Sequence, residues 1–213
     1  MAIILRLLED VLTADHSQQL ACALPRAIYV AAGSVTIAGE EVSADNGTVR
    51  LDAPTITAGP EGACLWRWEL ASRAIDAEPI GAHTVNKLEA ELSEAVTLDA
   101  HLLRLDSVAF PPAGCAYLHT HQGPGTRCLI EGRIRIDTDG HTASYGPGSP
   151  WFEAGPEPVF AQADADRPTR FIRAMVLPGA LLAKSSIQYV NAEDEAKPKV
   201  QRYRVFAETL LSG

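Results

Sequence analysis

Two histidines, His119 and His121, stand one residue apart in the stretch Gly114 to Gly132, GCAYLHTHQGPGTRCLIEG. Side chains alternate between the faces of a strand, so positions i and i+2 point the same way. Two neutral imidazoles on one strand face can bite a single metal ion. The cofactor this predicts is a divalent metal, Fe, Mn, Ni or Zn. The same spacing also suits a pair lining a pocket without metal, one ring nitrogen donating a hydrogen bond and one accepting.

The flanking residues extend the site. Gly123-Pro124-Gly125 is either a tight turn or a place where a ligand approaches the backbone, because glycine leaves room there. Arg127 follows and can hold a carboxylate through paired N–H donors, although arginine is mostly a surface residue. Tyr117 shares the His119 face if the strand is regular. Trp151 is placed to line a mouth. No nucleophile elbow, phosphate-binding loop or dinucleotide glycine pattern occurs.

The elements that must position these residues are strands. Met1 to Val11 is an apolar opening segment, strand or short amphipathic helix. From Gln18 to Leu70, β-rich runs alternate with closely spaced turn signals, among them Asp45-Asn46-Gly47 and Ala58-Gly59-Pro60. That spacing suits a sandwich or barrel rather than βαβ units. Leu88 to Leu98 reads as a helical turn at its opening and a strand at its end. His101 to Phe110 and Phe171 to Leu177 read as core strands. Asp139-Gly140 signals a hairpin. Asn191 to Lys199 reads as a charged surface loop, and Tyr203 to Leu211 as a short helix. Trp66 and Trp68 share a strand face in the first half.

The chain has 213 residues and a formal net charge of −9, without a basic block. Such a surface does not attract nucleic acid or an anionic membrane. The N-terminus is interrupted by Arg6, Glu9 and Asp10, unlike a signal peptide. No run reaches the roughly 18 apolar residues that span a bilayer. The expected location is the cytoplasm and the expected partner a small molecule. The four cysteines, Cys22, Cys64, Cys115 and Cys128, lie far apart with no C-x-x-C, as expected of buried free thiols.

An internal repeat sets the domain count. Tyr29 to Ile37 matches Cys128 to Ile136 in apolar pattern and in its glycine, Gly33 or Gly132. Ala58-Gly59-Pro60-Glu61 recurs as Ala154-Gly155-Pro156-Glu157, and each is followed by an apolar run, Ala63 to Trp66 in one half and Val159 to Gln162 in the other. The chain is therefore read as two copies of one β-fold, residues 1–80 and 81–213. His119 and His121 fall near Leu20 and Cys22 in the first copy, which is degenerate as a site.

Gly114, His119, His121 and Gly132 resemble the first motif of the cupin family, with one residue fewer after the first glycine. Gly146 or Gly148, then Gly155, resemble the glycines of its second motif. The resemblance implies an all-β chain of two double-stranded β-helix (jelly-roll) barrels in tandem, a bicupin. It also implies a homodimer, which would cover exposed edge strands. The family's glutamate position falls at Gly125 or Thr126, and its second-motif histidine near Pro158, where no ligand stands. A third metal ligand must then come from Glu153, Gln162, His101 or His141. Of these, His141 sits in a hairpin turn, and Glu153 has the second motif's usual proline place, which suggests a surface position. Two functional classes follow. One is a metal-dependent enzyme acting on a small polar or carboxylate-bearing molecule, with Arg127 orienting it. The other is a non-catalytic binding or sensing barrel that has lost its metal.

Overall fold

In a computed structural model, residues 2–211 are described. The chain is all-β and forms two compact units, Met1–Leu105 with Phe206–Gly213, and Asp106–Val205. The division is not near residue 80. The strand that follows that point pairs with the first strand of the chain and so belongs to the first unit.

The first unit begins with β1 (Ile3–Leu12), β2 (Ser17–Gln19), β3 (Arg26–Ile37), β4 (Glu40–Ser43), β5 (Asn46–Arg50), β6 (Thr55–Ser72) and β7 (His83–Glu91). Their order is β4-β3-β6-β1-β7, with β2 also on β6 and β5 also on β3. The opening segment is thus a strand. Two long strands, β3 and β6, bend so that one sheet wraps around a core of Leu12, Leu20, Ile28, Val30, Val35, Ile37, Ile56 and Leu65. The bend in β3 is marked by two register shifts. Gly33 lies there at φ +74°, where an added Cβ would meet the Gly62 carbonyl oxygen at 2.1 Å.

On the inner face of β1, β3 and β6 the apolar rows give way to five buried charges, Arg6, Asp10, Arg26, Arg67 and Glu69. Arg6 and Arg26 donate to Glu69 at 2.9 and 2.7 Å, and Arg67 reaches both Glu69 and Asp10. Buried ions persist when every donor and acceptor is engaged. Trp66 and Trp68 do share one face, with centroids 6.5 Å apart and both rings buried.

The second unit contains β8 (His101–Phe110), β9 (Cys115–His121), β10 (Gly125–Glu131), β11 (Ile134–Thr138), β12 (His141–Tyr145), β13 (Pro150–Glu153), β14 (Val159–Ala163), β15 (Thr169–Pro178), β16 (Ile187–Tyr189) and β17 (Arg202–Leu210). β8 and β17 cross the division between units. Two five-stranded antiparallel sheets run β13-β10-β15-β8-β17 and β12-β11-β14-β9-β16. Alternating residues of both sheets fill the barrel, among them Phe110, Leu129, Ile134, Ile136, Trp151, Val159 and Phe171. Asp139 and Gly140 both take positive φ, 48° and 71°, which is the hairpin turn their sequence signals.

Other sequence expectations about the elements also differ from the structure. Of the stretch Tyr203 to Leu211, the residues up to Leu210 lie in strand β17, not a helix, because the backbone edge of β8 pairs with it. Leu88 to Leu98 opens as strand and closes at a short 3-10 turn, Leu98–Ala100, the reverse of the expected order. Cys22 is exposed, Cys64 and Cys115 are half-buried and only Cys128 is buried, all as free cysteines.

The first repeat match is structural. Tyr29 pairs with Trp66 as Cys128 pairs with Ile172, and Val35 pairs with Ala58 as Ile134 pairs with Ala163. Gly132, at φ +79°, bends the chain where Gly33 does. The second match is a coincidence of letters. By register, the counterpart of Ala58 is Ala163, not Ala154, and that of Trp66 is Ile172, not Gln162.

Candidate functional site

His119 and His121 come to the barrel interior from β9, at 5% and 6% exposure. Their rings meet edge to face, 4.9 Å apart and inclined at 83°. Tyr117 does not share their face. Val159 of β14 pairs with His119, but Ala161 pairs with Ala116, so β9 carries one extra residue between them. A bulge of this kind shifts the alternation of everything on one side of it. Ala116 and His119 both point inward, and Tyr117 turns out toward Lys197 and Lys199, at 5.1 and 5.7 Å.

Arg127 is fully buried, not a surface charge. It stands on β10 directly opposite Arg173 of β15 and Trp151 of β13. Its Nη1 donates to the Gly125 carbonyl at 2.6 Å. Its Nη2 lies 2.6 Å from Glu153 Oε2, an ion contact whose angles leave both atoms without an aligned hydrogen bond. Glu153 is buried, not on the surface. It pairs across the ladder with Gly125, so a carboxylate reaches the site from the strand next to the place where the cupin resemblance expects one. Trp151 is core rather than mouth. It stacks on Tyr145 at 4.7 Å and donates its indole N–H to Glu153 Oε1 at 2.9 Å.

Three polar residues complete the layer and were not singled out from the sequence. Arg173 donates through Nε to Asp106 Oδ1 at 2.6 Å, and its Nη1 lies 3.4 Å from His121 Nε2. Ser186 Oγ lies 3.4 Å from His121 Nδ1 and donates to Met175 Sδ at 3.9 Å. The available signal was a charge inside an apolar strand, Arg173 in FIRAMVL and Asp106 in LLRLDSVAF. Charged side chains are rarely buried unless paired, so two such strands announce a pair.

The remaining candidates lie elsewhere. Gln162 sits in the outward row of β14 and donates to the Ala113 and Gly114 carbonyls at 3.0 and 3.1 Å. His101 belongs to the first unit, where its Nδ1 lies 2.6 Å from the Thr97 carbonyl. His141 is exposed at the start of β12. Gly123 and Gly125 are there for protein contacts. An added Cβ would meet the Val176 carbonyl at 2.1 Å or the Ala174 carbonyl at 2.7 Å.

The tautomers follow from the partners. A carbonyl only accepts, so His119 Nδ1 carries the proton it gives to Tyr117 O at 2.7 Å, leaving Nε2 as an acceptor. A guanidinium only donates, so His121 Nε2 is the acceptor and Nδ1–H points to Ser186. Burial holds both imidazoles below their ordinary range. For His121 the charges of Arg173 and Arg127 add to that effect, and the group lies well below 6.5. Burial also pulls Arg127 down to about 10. It opposes the charge on Arg173 too, but Asp106 outweighs it and raises that group.

A divalent metal needs lone pairs. His121 Nε2 is directed at Arg173 and Glu153 Oε2 makes its ion contact with Arg127, which leaves His119 Nε2 and Asp106 Oδ2. No group of three or more His, Cys, Asp or Glu is placed to hold a metal among the described residues. As arranged, the donors do not fit a divalent ion.

No protein-family model matches the chain. No curated protein resembles it in sequence. Solved structures do. The fold is shared with oxalate decarboxylase. A tryptophan variant of the Bacillus subtilis enzyme superposes with a TM-score of 0.63 at 14% identity, covering 91% of this chain and 73% of that one. A serine variant gives the same values. A further structure, concerned with the Mn(II) centres of the B. subtilis enzyme, gives 0.61 at 13% identity over the same shares. At this identity the neighbours show the fold alone, a jelly-roll β-barrel architecture. No helix among the described residues is long and apolar enough to cross a membrane.

Proposed function

We propose that the second barrel binds a small molecule carrying both a carboxylate and a hydrogen-bond donor, without a metal. One observation carries this reading. Arg127 and Arg173 face each other inside the barrel, and three buried atoms beside them, Arg127 Nη2, Glu153 Oε2 and Asp106 Oδ2, lack an aligned partner. Buried polar atoms in native proteins nearly always have partners, from protein, water or ligand. The guanidinium N–H groups suit a carboxylate, in bidentate geometry where possible. The Glu153 and Asp106 oxygens suit a hydroxyl or ammonium. His119 Nε2 adds a further acceptor. The first barrel supports a division of labour. Leu20, whose N–H bonds the Pro54 carbonyl, stands where His119 stands and packs in apolar core.

A second reading keeps His119 and His121 as ligands of Fe, Mn, Ni or Zn in an enzyme, with Glu153 as third ligand. Its support is the likeness to a protein with Mn(II) centres and the 3.9 Å between His121 Nε2 and Glu153 Oε2. The arginine contacts weigh against it.

The test is calorimetric titration of chelator-treated protein with a panel of monocarboxylates, hydroxy acids, amino acids and short dicarboxylates. Oxalate belongs in the panel because the solved neighbours are named for it. Saturable binding of one ligand per chain, weakened at least about tenfold in Arg127→Lys, supports the binding reading, because lysine cannot form the bidentate pair. Absence of binding to every chelated sample, with binding or turnover only after metal loading, transfers the conclusion to the enzyme.

A further inference from the structure

The polar layer of the second barrel contains two guanidiniums, Arg127 and Arg173, and two carboxylates, Asp106 and Glu153, all buried. Its two imidazoles are neutral in the tautomers described. The layer is therefore balanced. A divalent cation added to it would be an uncompensated double charge out of water, and isolated buried charge is strongly disfavoured. Without the two arginines the same layer holds two carboxylates and two imidazoles, which a divalent cation would neutralise.

We propose that this is a latent metal site held shut by Arg127 and Arg173, whose guanidiniums stand against Glu153 Oε2 and His121 Nε2 and supply the positive charge that a metal ion would otherwise bring. Each arginine is fixed for that task. Arg127 is tied back to the Gly125 carbonyl at 2.6 Å, and Arg173 to Asp106 at 2.6 Å. The two stand opposite each other on neighbouring strands, so their charges flank the same space. Each guanidinium also has a carboxylate beside it, Glu153 at 2.6 Å from Arg127 and Asp106 at 2.6 Å from Arg173. The inference concerns charge and lone pairs and does not depend on which molecule the barrel binds. An organic ligand that binds chelated protein supports the ligand reading whichever way the metal titration falls.

The experiment is Co²⁺ titration followed by visible absorption, on wild type, Arg127→Met, Arg173→Met and the double variant, with folding checked by circular dichroism. Wild type is expected to show no saturable d–d bands. The folded double variant is expected to take up one Co²⁺ per chain and to lose it when His119→Ala is added. Stoichiometric Co²⁺ binding by wild type that His121→Ala abolishes overturns the proposal, as does a folded double variant that binds none. A measurement on wild type alone covers the case in which the double variant does not fold. Substoichiometric Mn²⁺ should leave the His119 and His121 imidazole ¹⁵N resonances sharp, with His121 in the Nδ1–H tautomer. Selective broadening of those two rings would show that the site is open.

Discussion

Arg173 Nη1 lies 3.4 Å from His121 Nε2 while the Nε of the same guanidinium holds Asp106 at 2.6 Å. One side chain therefore fixes the tautomer of a histidine and balances a carboxylate that no solvent reaches. This couples the stability of the second unit to the chemistry of its interior.

The first expectation concerns that pair. Asp106→Ala leaves a buried guanidinium without its counter-charge, and breaking a buried pair from one side costs about 3–5 kcal/mol. Urea unfolding followed by tryptophan fluorescence should show the midpoint falling accordingly. A loss below about 1 kcal/mol would mean that Arg173 finds solvent or another partner.

In the first unit, Glu69 accepts from Arg6, Arg26 and Arg67. Burial alone would raise this carboxyl, but Arg67 and Arg26 together outweigh it and hold it below its ordinary 4.5. A depressed carboxyl stabilises the fold above 4.5, and that stabilisation is lost as pH falls through the lower folded value. The denaturant midpoint of wild type should fall below about pH 4.5, and Glu69→Gln should start lower and show a shallower dependence. Equal slopes for the two proteins would remove Glu69 from the account.

His121 titrates in the same direction for a different reason. Burial first, then Arg173 and Arg127, keep it neutral well below 6.5. Unfolding frees it to bind a proton, so stability is full above 6.5 and declines as pH drops. Imidazole NMR should show His121 still neutral at pH 5.5. A His121 midpoint near 6.5 would mean that the ring is solvated.

Close backbone approach makes Gly123 a sharper test than its loop position suggests. A Cβ there meets the Val176 carbonyl at 2.1 Å, whereas one at Gly146 meets nothing within 4 Å. Gly123→Ala should destabilise by at least about 1–3 kcal/mol, the usual cost of overpacking, and Gly146→Ala should be close to neutral. Thermal unfolding of the two variants side by side decides it.

The sequence by itself determined the all-β class, the two-barrel plan and the inward pair His119 and His121. Strand periodicity, turn chemistry at Asp139-Gly140 and a repeated bend glycine are local properties written into adjacent residues. It also offered Arg127 as a holder of a carboxylate, beside the alternative of a surface charge, and its burial settles between the two. Tertiary structure alone decided what those residues face. The bulge in β9 that turns Tyr117 outward depends on pairing with β14, and the burial of Glu153 depends on its being opposite Gly125. The strand form of 203–210 depends on the edge of β8. Arg173 and Asp106 lie 67 positions apart in the chain, and their partnership arises only when the sheet brings β8 and β15 side by side. The charge balance of the barrel is a sum over strands, and no single stretch of sequence contains it.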